Sequence, residues 1–353
     1  MITWKRIGLI DFDFPKIYDY KREYLNLKED LGEQVSLKRV IDATTLPSIE
    51  IGDNNVGLGK DFIMNVKDNY NAGIDLFVAK NFKVKEPIRL DFYLDKDNSY
   101  LVDYNNIYVE KNAEVTIVID YKSIDDTEGF HNGFTNVFAE TGSKVNIIKL
   151  QRLNSKSLNF DFNLSRVESS AVVNFVSIEL GSELSGSNYT SILEEEMSQS
   201  NLSSIYLGDK NMKLDLEYTM IHKGVRSQSN IETRGALLDN ARKVFRGNLD
   251  FKRGCRSSKG VELEHVLLLS PTVKSDSIPA LLCEEDNVEG EHAVSAGQID
   301  KSKLFYIMSR GLSEKEAKKL IVESSFKPII DMIPFEDLKS EVNSHIERRL
   351  IHG

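Results

Sequence analysis

Val109-Glu110-Lys111-Asn112-Ala113-Glu114-Val115-Thr116-Ile117 returns in pattern as Ala139-Glu140-Thr141-Gly142-Ser143-Lys144-Val145-Asn146-Ile147, and again as Val167-Glu168-Ser169-Ser170-Ala171-Val172-Val173-Asn174-Phe175. The starts lie 30 and 28 residues apart, and a weaker echo, Leu238-Asp239-Asn240-Ala241-Arg242-Lys243-Val244, follows. Each copy places an acidic residue and a small or polar turn ahead of apolar residues at period two, the pattern of a turn running into a half-buried strand. A strand-bearing unit repeated at a period of roughly 20 to 50 residues predicts stacked coils, as in a parallel β-helix or a pile of meanders.

Helical readings of the same region fail. Between residues 114 and 269 turn formers fall too often for long helices, and the β-branched runs at 115–119 and 172–178 favour strand. A doubly wound α/β sheet would need a helix between successive strands, and none is legible. Residues 193–200 (LEEEMSQS) read as a single helical turn or a polar strand edge.

Outward from the repeat, residues 1–62 read as a small mixed amino-terminal cap. Within it, residues 15–30 have helix-like charge spacing with a solvated face, and 44–59 are rich in turn formers such as Pro47, Gly52 and Gly57. Residues 63–300 form the strand-rich core, with Pro87 expected at a strand end because it has no N–H for the ladder. Residues 301–353 read as helices. Ser302 to Ser309 should close at Gly311, and Ser313 with Glu316 makes a capping box for a second helix that Pro328 bends or stops. Pro334 opens a third helix, whose stripe of Phe335, Leu338, Val342, Ile346 and Leu350 is expected to pack over the open end of the coil stack.

At 353 residues with 41% apolar composition, the chain can bury a sizeable core. A formal charge of -10 argues against nucleic acid or an anionic membrane as partner, since phosphate binding needs a basic face. No apolar run reaches membrane-spanning length and the amino terminus lacks a secretory pattern, so a cytoplasmic location is expected. Two cysteines without C-x-x-C spacing suit a reducing compartment and cannot close a four-cysteine site.

Metal-capable chemistry concentrates in one place. From Cys283 to His292 the chain carries a thiol, five carboxylates (Glu284, Glu285, Asp286, Glu289, Glu291) and an imidazole. An exposed acidic turn is ordinarily solvated surface, and Cys283 beside Leu281 and Leu282 fits core packing as well as ligation. Cys255 has basic neighbours, Arg253 and Arg256, that would lower its pKa if they approach in space. His131, His222, His345 and His352 stand alone and read as surface or hydrogen-bonding residues. His265 sits next to Glu264 on a strand, so the two face opposite sides. No phosphate-cradling loop, nucleophile elbow or H-E-x-x-H helix is present, so any ATP chemistry must come from a partner.

The same carboxy-terminal stretch resembles the SufB/SufD proteins, scaffold subunits of an iron-sulfur cluster assembly machine. The resemblance is carried by the Ser-Asp-x-x-Pro run from Ser275 to Pro279, Glu285 to Val288, His292, Gly297-Gln298-Ile299-Asp300, Leu304-Phe305-Tyr306 and Ser309-Arg310-Gly311-Leu312-Ser313. Upstream, Arg234-Gly235, Phe245-Arg246-Gly247 and the run from Leu263 to Ser270 match as well. The resemblance implies a mainly β chain with a right-handed parallel β-helix core, and no nucleotide hydrolysis of its own. It implies a SufC-type ABC ATPase as partner, docked by the helices around Leu304 to Ile330, and pairing with a SufB-type subunit or an identical copy. Ungapped placement sets Glu264 where SufB-type members carry a cysteine and Ala293 where they carry a glutamate, so the chain is more SufD-like.

Iron in such clusters is held by thiolates, with imidazole or carboxylate where the cluster must leave again. One chain with a single plausible thiol cannot fill four positions. The expected cargo, an iron-sulfur cluster or iron, would therefore be transient and shared across a subunit interface. His292 is the first candidate ligand. Cys283, at a place usually apolar in the family, and Glu264 follow. Two readings compete: a β-helix carbohydrate-active enzyme with calcium on the 284–291 carboxylates, and a metal-free structural adaptor for the ATPase.

Overall fold

The computed structural model describes residues 12–16, 19–20, 33–40 and 60–352. Residues 44–59 and most of the helix expected at 15–30 lie outside these; Pro15, Lys16, Asp19 and Tyr20 are not helical. After β1 (Val35–Arg39) and α1 (Lys60–Asn69), the chain alternates strand by strand between two sheets. The first sheet contains β2 (Ala72–Val78), β4 (Tyr100–Val109), β6 (Phe130–Ala139), β8 (Leu158–Val167), β10 (Leu184–Leu193), β12 (Lys213–His222) and β14 (Arg242–Phe251). The second contains β3 (Ile88–Leu94), β5 (Glu114–Ser123), β7 (Lys144–Arg152), β9 (Val172–Glu179), β11 (Gln199–Gly208), β13 (Gln228–Leu237) and β15 (Ser258–Leu268). Neighbours within each run parallel; β1 alone of these lies antiparallel, on β2. The product is a parallel β-helix of about eight coils, and Pro87 stands just before β3 as its missing N–H requires.

The sequence repeat is the stacking rule written out. Val109, Ala139 and Val167 lie one above another in register, so each copy repeats what the coil below demands. At the corner that follows, Asn112, Gly142, Ser170 and Met197 occupy the left-handed region, with φ of 58°, 71°, 57° and 57°. Their N–H groups donate one coil onward, as in Asn112 to the Thr141 carbonyl at 3.0 Å and Gly142 to that of Ser169 at 2.9 Å. The acidic residue of each copy has a matching job: it accepts from a corner N–H of the coil before. Glu110 takes Lys80 N–H at 2.7 Å, Glu140 takes Lys111 at 3.1 Å, and Glu168 takes Thr141 at 3.0 Å. Residues 193–200 are the next such corner leading into β11, with Glu195 accepting from Ser169 N–H, and not a helical turn.

Through the middle coils each sheet buries most of both faces. Inside the coils, Val115, Ile117, Val145, Ile147, Val173 and Phe175 stack against the opposite sheet. Part of the interior is polar and paired: Lys149 reaches across to Asp161 at 2.6 Å, and His131 lies between Asp103 at 2.7 Å and Asn159 at 2.6 Å. His222 is buried between the hydroxyls of Ser227 and Ser229, and burial pushes its pKa down to about 4. The folded state therefore holds it neutral. Its contribution is whole above the ordinary value near 6.5 and is lost as pH falls from there toward 4. Unfolding free energy should drop by roughly 3 kcal/mol over that range through this group. His345, also near 4 and for the same first reason, adds in the same direction. Urea titrations of wild type and His222→Gln between pH 7 and 4 check this; parallel curves would contradict it.

Three helices follow the core: α2 (Lys301–Met308), α3 (Glu314–Ile330) and α4 (Glu336–His352). Ser313 and Glu316 form the expected capping box, Gly311 (φ 98°) ends the turn after α2, and Pro328 sits inside α3, two residues before its end. The apolar stripe of α4 does not cover the open end of the stack. Leu338, Val342, Ile346 and Leu350 pack with Val322, Phe326 and Ile329 of α3 on the outer face of the second sheet, against Ile148, Leu150, Ile178, Ile205 and Leu207. That face is itself apolar and needs cover. Arg152, paired with Asp120, also holds Glu341 of α4 at 2.7 Å. On the other side, Phe62, Ile63 and Val66 of α1 cover the outer face of the first sheet, where the cap boundary expected at 62 falls inside this helix.

Candidate functional site

Winding stops at β16 (Lys274–Ser277), β17 (Ala280–Cys283) and β18 (Val288–Gln298). β16 and β17 add to β14, β18 adds to β15, and among the described residues no strand follows either. The coil stack thus ends on an unpaired edge, with residues 291–296 exposed. Apolar side chains stand open around it: Leu263, Leu281, Leu282 (54% exposed) and Val294.

Register decides where the candidate ligands point. Cys283 stacks on Phe251, and His292 stacks on Glu262. In-register parallel neighbours share a face, and Phe251 and Glu262 are both buried in the coil interior. Cys283 and His292 therefore extend two interior columns to the mouth of the stack, one from each sheet. Both are exposed because no further coil covers them. This places the thiol at the open end and not in the core.

Glu264 lies one coil further in, and its oxygens are occupied. Lys243 Nζ donates to it at 2.6 Å, Tyr206 Oη at 3.0 Å and Ser277 Oγ at 2.5 Å, and both Lys243 and Glu264 side chains are wholly buried. Burial pushes the Lys243 ammonium below its ordinary pKa. The structure brings Cys283 and His292 to one mouth and leaves Glu264 in a separate internal ion pair under Val294. Among the described residues, no three His, Cys, Asp or Glu side chains group to hold a metal ion.

The acidic run between the two candidates is divided among separate partners. Glu284 pairs with Lys252 at 2.9 Å, Glu285 accepts from Gly254 N–H at 3.0 Å, and Glu289 pairs with Lys259 at 2.7 Å. This spread suits coil corners and does not make a calcium cage. Cys255 is fully buried, and burial pushes its thiol up; the lowering that Arg253 and Arg256 would bring on close approach does not appear.

Sequence reading passed over Glu262. It is wholly buried beneath His292, and neither carboxyl oxygen has a hydrogen-bond partner. Burial first, then the neighbouring Glu264 charge, raises its pKa to about 7. Leaving such a group unpaired costs on the order of 1–3 kcal/mol even when it is neutral.

A family model described as "SUF system FeS cluster assembly, SufBD core domain" matches residues 92–325, from β3 into α3. The chain belongs to the SufBD family. Its similarity to the iron-sulfur cluster assembly protein SufD of Bacillus subtilis is 25% identity over 283 residues, 79% of this chain and 64% of that one. SufB of the same organism is 23% identical over 329 residues, covering 90% of this chain and 70% of its own. An iron-sulfur cluster assembly SufBD family protein of Pyrococcus horikoshii is 27% identical over 268 residues, 76% of this chain and 60% of that protein. The chain spans about three fifths of the length of the first of these relatives. SufD and SufB of one organism both match this SufBD chain, SufD at the slightly higher identity. Among the described residues, no helix is long and apolar enough to cross a membrane.

Proposed function

We propose that this SufBD-family chain is a SufD-like, non-catalytic scaffold subunit of a SUF-type assembly complex. It pairs through its open last coil with a SufB-type subunit or a second copy, and holds iron or cluster cargo in the seam. The observation that carries this reading is the end of the coil stack: an edge strand presents His292, and the facing strand presents Cys283 at the same open end, around an apolar rim. Two donors cannot fill the sphere of an iron-sulfur cluster, so the rest come from the partner. An unpaired, partly apolar edge is itself a template for another chain.

An ABC-type ATPase docks on α2 and the adjoining part of α3. α2 has no buried residue of its own, while Phe305 (74% exposed), Tyr306, Met308 and Leu320 stand open. An amphipathic surface left bare in this way marks a contact site. Nucleotide-driven closure of the ATPase pair would then strain the scaffold pair and open the seam to iron and sulfide.

Anaerobic reconstitution with the partner subunit, followed by visible absorption, tests the reading. His292→Ala should cut cluster content severalfold while the pair still forms; unchanged content removes His292 from the site. Co-purification of the ATPase should fail with Phe305→Asp, and its persistence would move the docking surface elsewhere.

A further inference from the structure

Glu262 stands apart from the other acids inside the coils. Asp103 has His131, Tyr121 and Asn105; Asp161 has Lys149 and Asn163; Glu179 has Ser185 and Ser187; Glu264 has Lys243. Glu262 alone of this set leaves both oxygens buried and unbonded. Native interiors rarely tolerate such a group without a ligand or role. Room is reserved for it: a Cβ at Gly247, on the facing sheet, would stand 2.5 Å from Glu262 Cγ. The residue directly above it in register is His292, whose imidazole makes no side-chain hydrogen bond among the described residues, and adjacent strands lie about 4.8 Å apart.

We infer that Glu262 and His292 together seat a divalent transition-metal ion, ferrous iron in this setting, inside the mouth of the coil stack. A carboxylate and an imidazole are a borderline-hard donor pair that suits iron(II). Solvent or the partner subunit completes the sphere. The carboxylate is sealed from solvent by the last coil, the layer that an arriving subunit meets first. The inference rests on the reading that His292 faces iron, and adds that this chain brings a second ligand from below.

The test uses the full chain alone under anaerobic conditions, titrated with iron(II) by calorimetry and with cobalt(II) as a visible-absorption probe. Wild type should bind one ion. Glu262→Gln and His292→Ala should each weaken binding by about tenfold or more, with circular dichroism showing the coil stack intact. Glu262→Asp, which keeps a carboxylate, should retain part of the affinity. Binding lost with His292→Ala but unchanged with Glu262→Gln overturns the inference and leaves the His292 reading standing. A wild-type chain that binds no ion alone, yet forms cluster with its partner in a His292-dependent way, also overturns it. An intact response in both variants sinks the inference and that reading together.

Discussion

Lys243→Met should lower the unfolding free energy by about 3 kcal/mol or more. Lys243 and Glu264 are both wholly buried and meet at 2.6 Å. Methionine fills the space of the lysine stem and leaves a carboxylate facing only Tyr206 and Ser277. Removing one partner of a buried pair is much worse than removing both, because the survivor keeps its desolvation penalty without the attraction. Lys243→Met with Glu264→Leu should therefore recover most of the loss. Urea unfolding followed by circular dichroism reads both. A single variant within about 1 kcal/mol of wild type would mean that the pair is not the internal brace described here.

The second large effect belongs to the open end. Leu282→Lys combined with Val294→Lys should weaken pairing with the second subunit by roughly 100-fold, near 3 kcal/mol. Both residues are exposed at the rim of the last coil. The folded chain loses almost nothing, because neither side chain is in the core. In the pair, each ammonium would be desolvated against an apolar neighbour. Sedimentation of wild type and variant with the SufB-type partner, at matched thermal stability, measures the change. Equal affinity would place the seam on another face.

Much of the fold could be read from the chain because stacking in register forces repetition. The acid, turn and alternating strand at Val109, Ala139 and Val167 recur since each coil rests on the last. The acidic residue read as generic turn chemistry is in fact a cap on the corner N–H of the neighbouring coil. Helix signals with local causes, such as the Ser313 capping box, were equally plain. Where the stripe of α4 would land was not, because both the open end and the outer face of the second sheet offer apolar surface, and only the packed structure shows which is used.

At the candidate site, the family resemblance singles out His292, whereas the burial of Glu262 was hidden by a rule that usually works. In Val261-Glu262-Leu263-Glu264-His265, alternation suggests that valine and leucine face inward. The structure reverses this: Leu263 is 43% exposed while Glu262 and Glu264 are buried. An interior that already holds Lys149, Asp161, His131 and Glu179 has polar columns, so the period of two survives and its sign does not. The partner of Glu264, Lys243, comes from a strand 21 residues away across the coil, a separation no local pattern encodes.

Hydrogen exchange over residues 288–298 tests the central claim most directly, read in the free chain and after adding the SufB-type partner or raising the concentration of the chain itself. Among the described residues β18 is the edge of its sheet, so its outward amides should exchange fast alone and slow strongly on pairing. Unchanged exchange in β18, with protection appearing on another surface of a formed complex, would contradict the account.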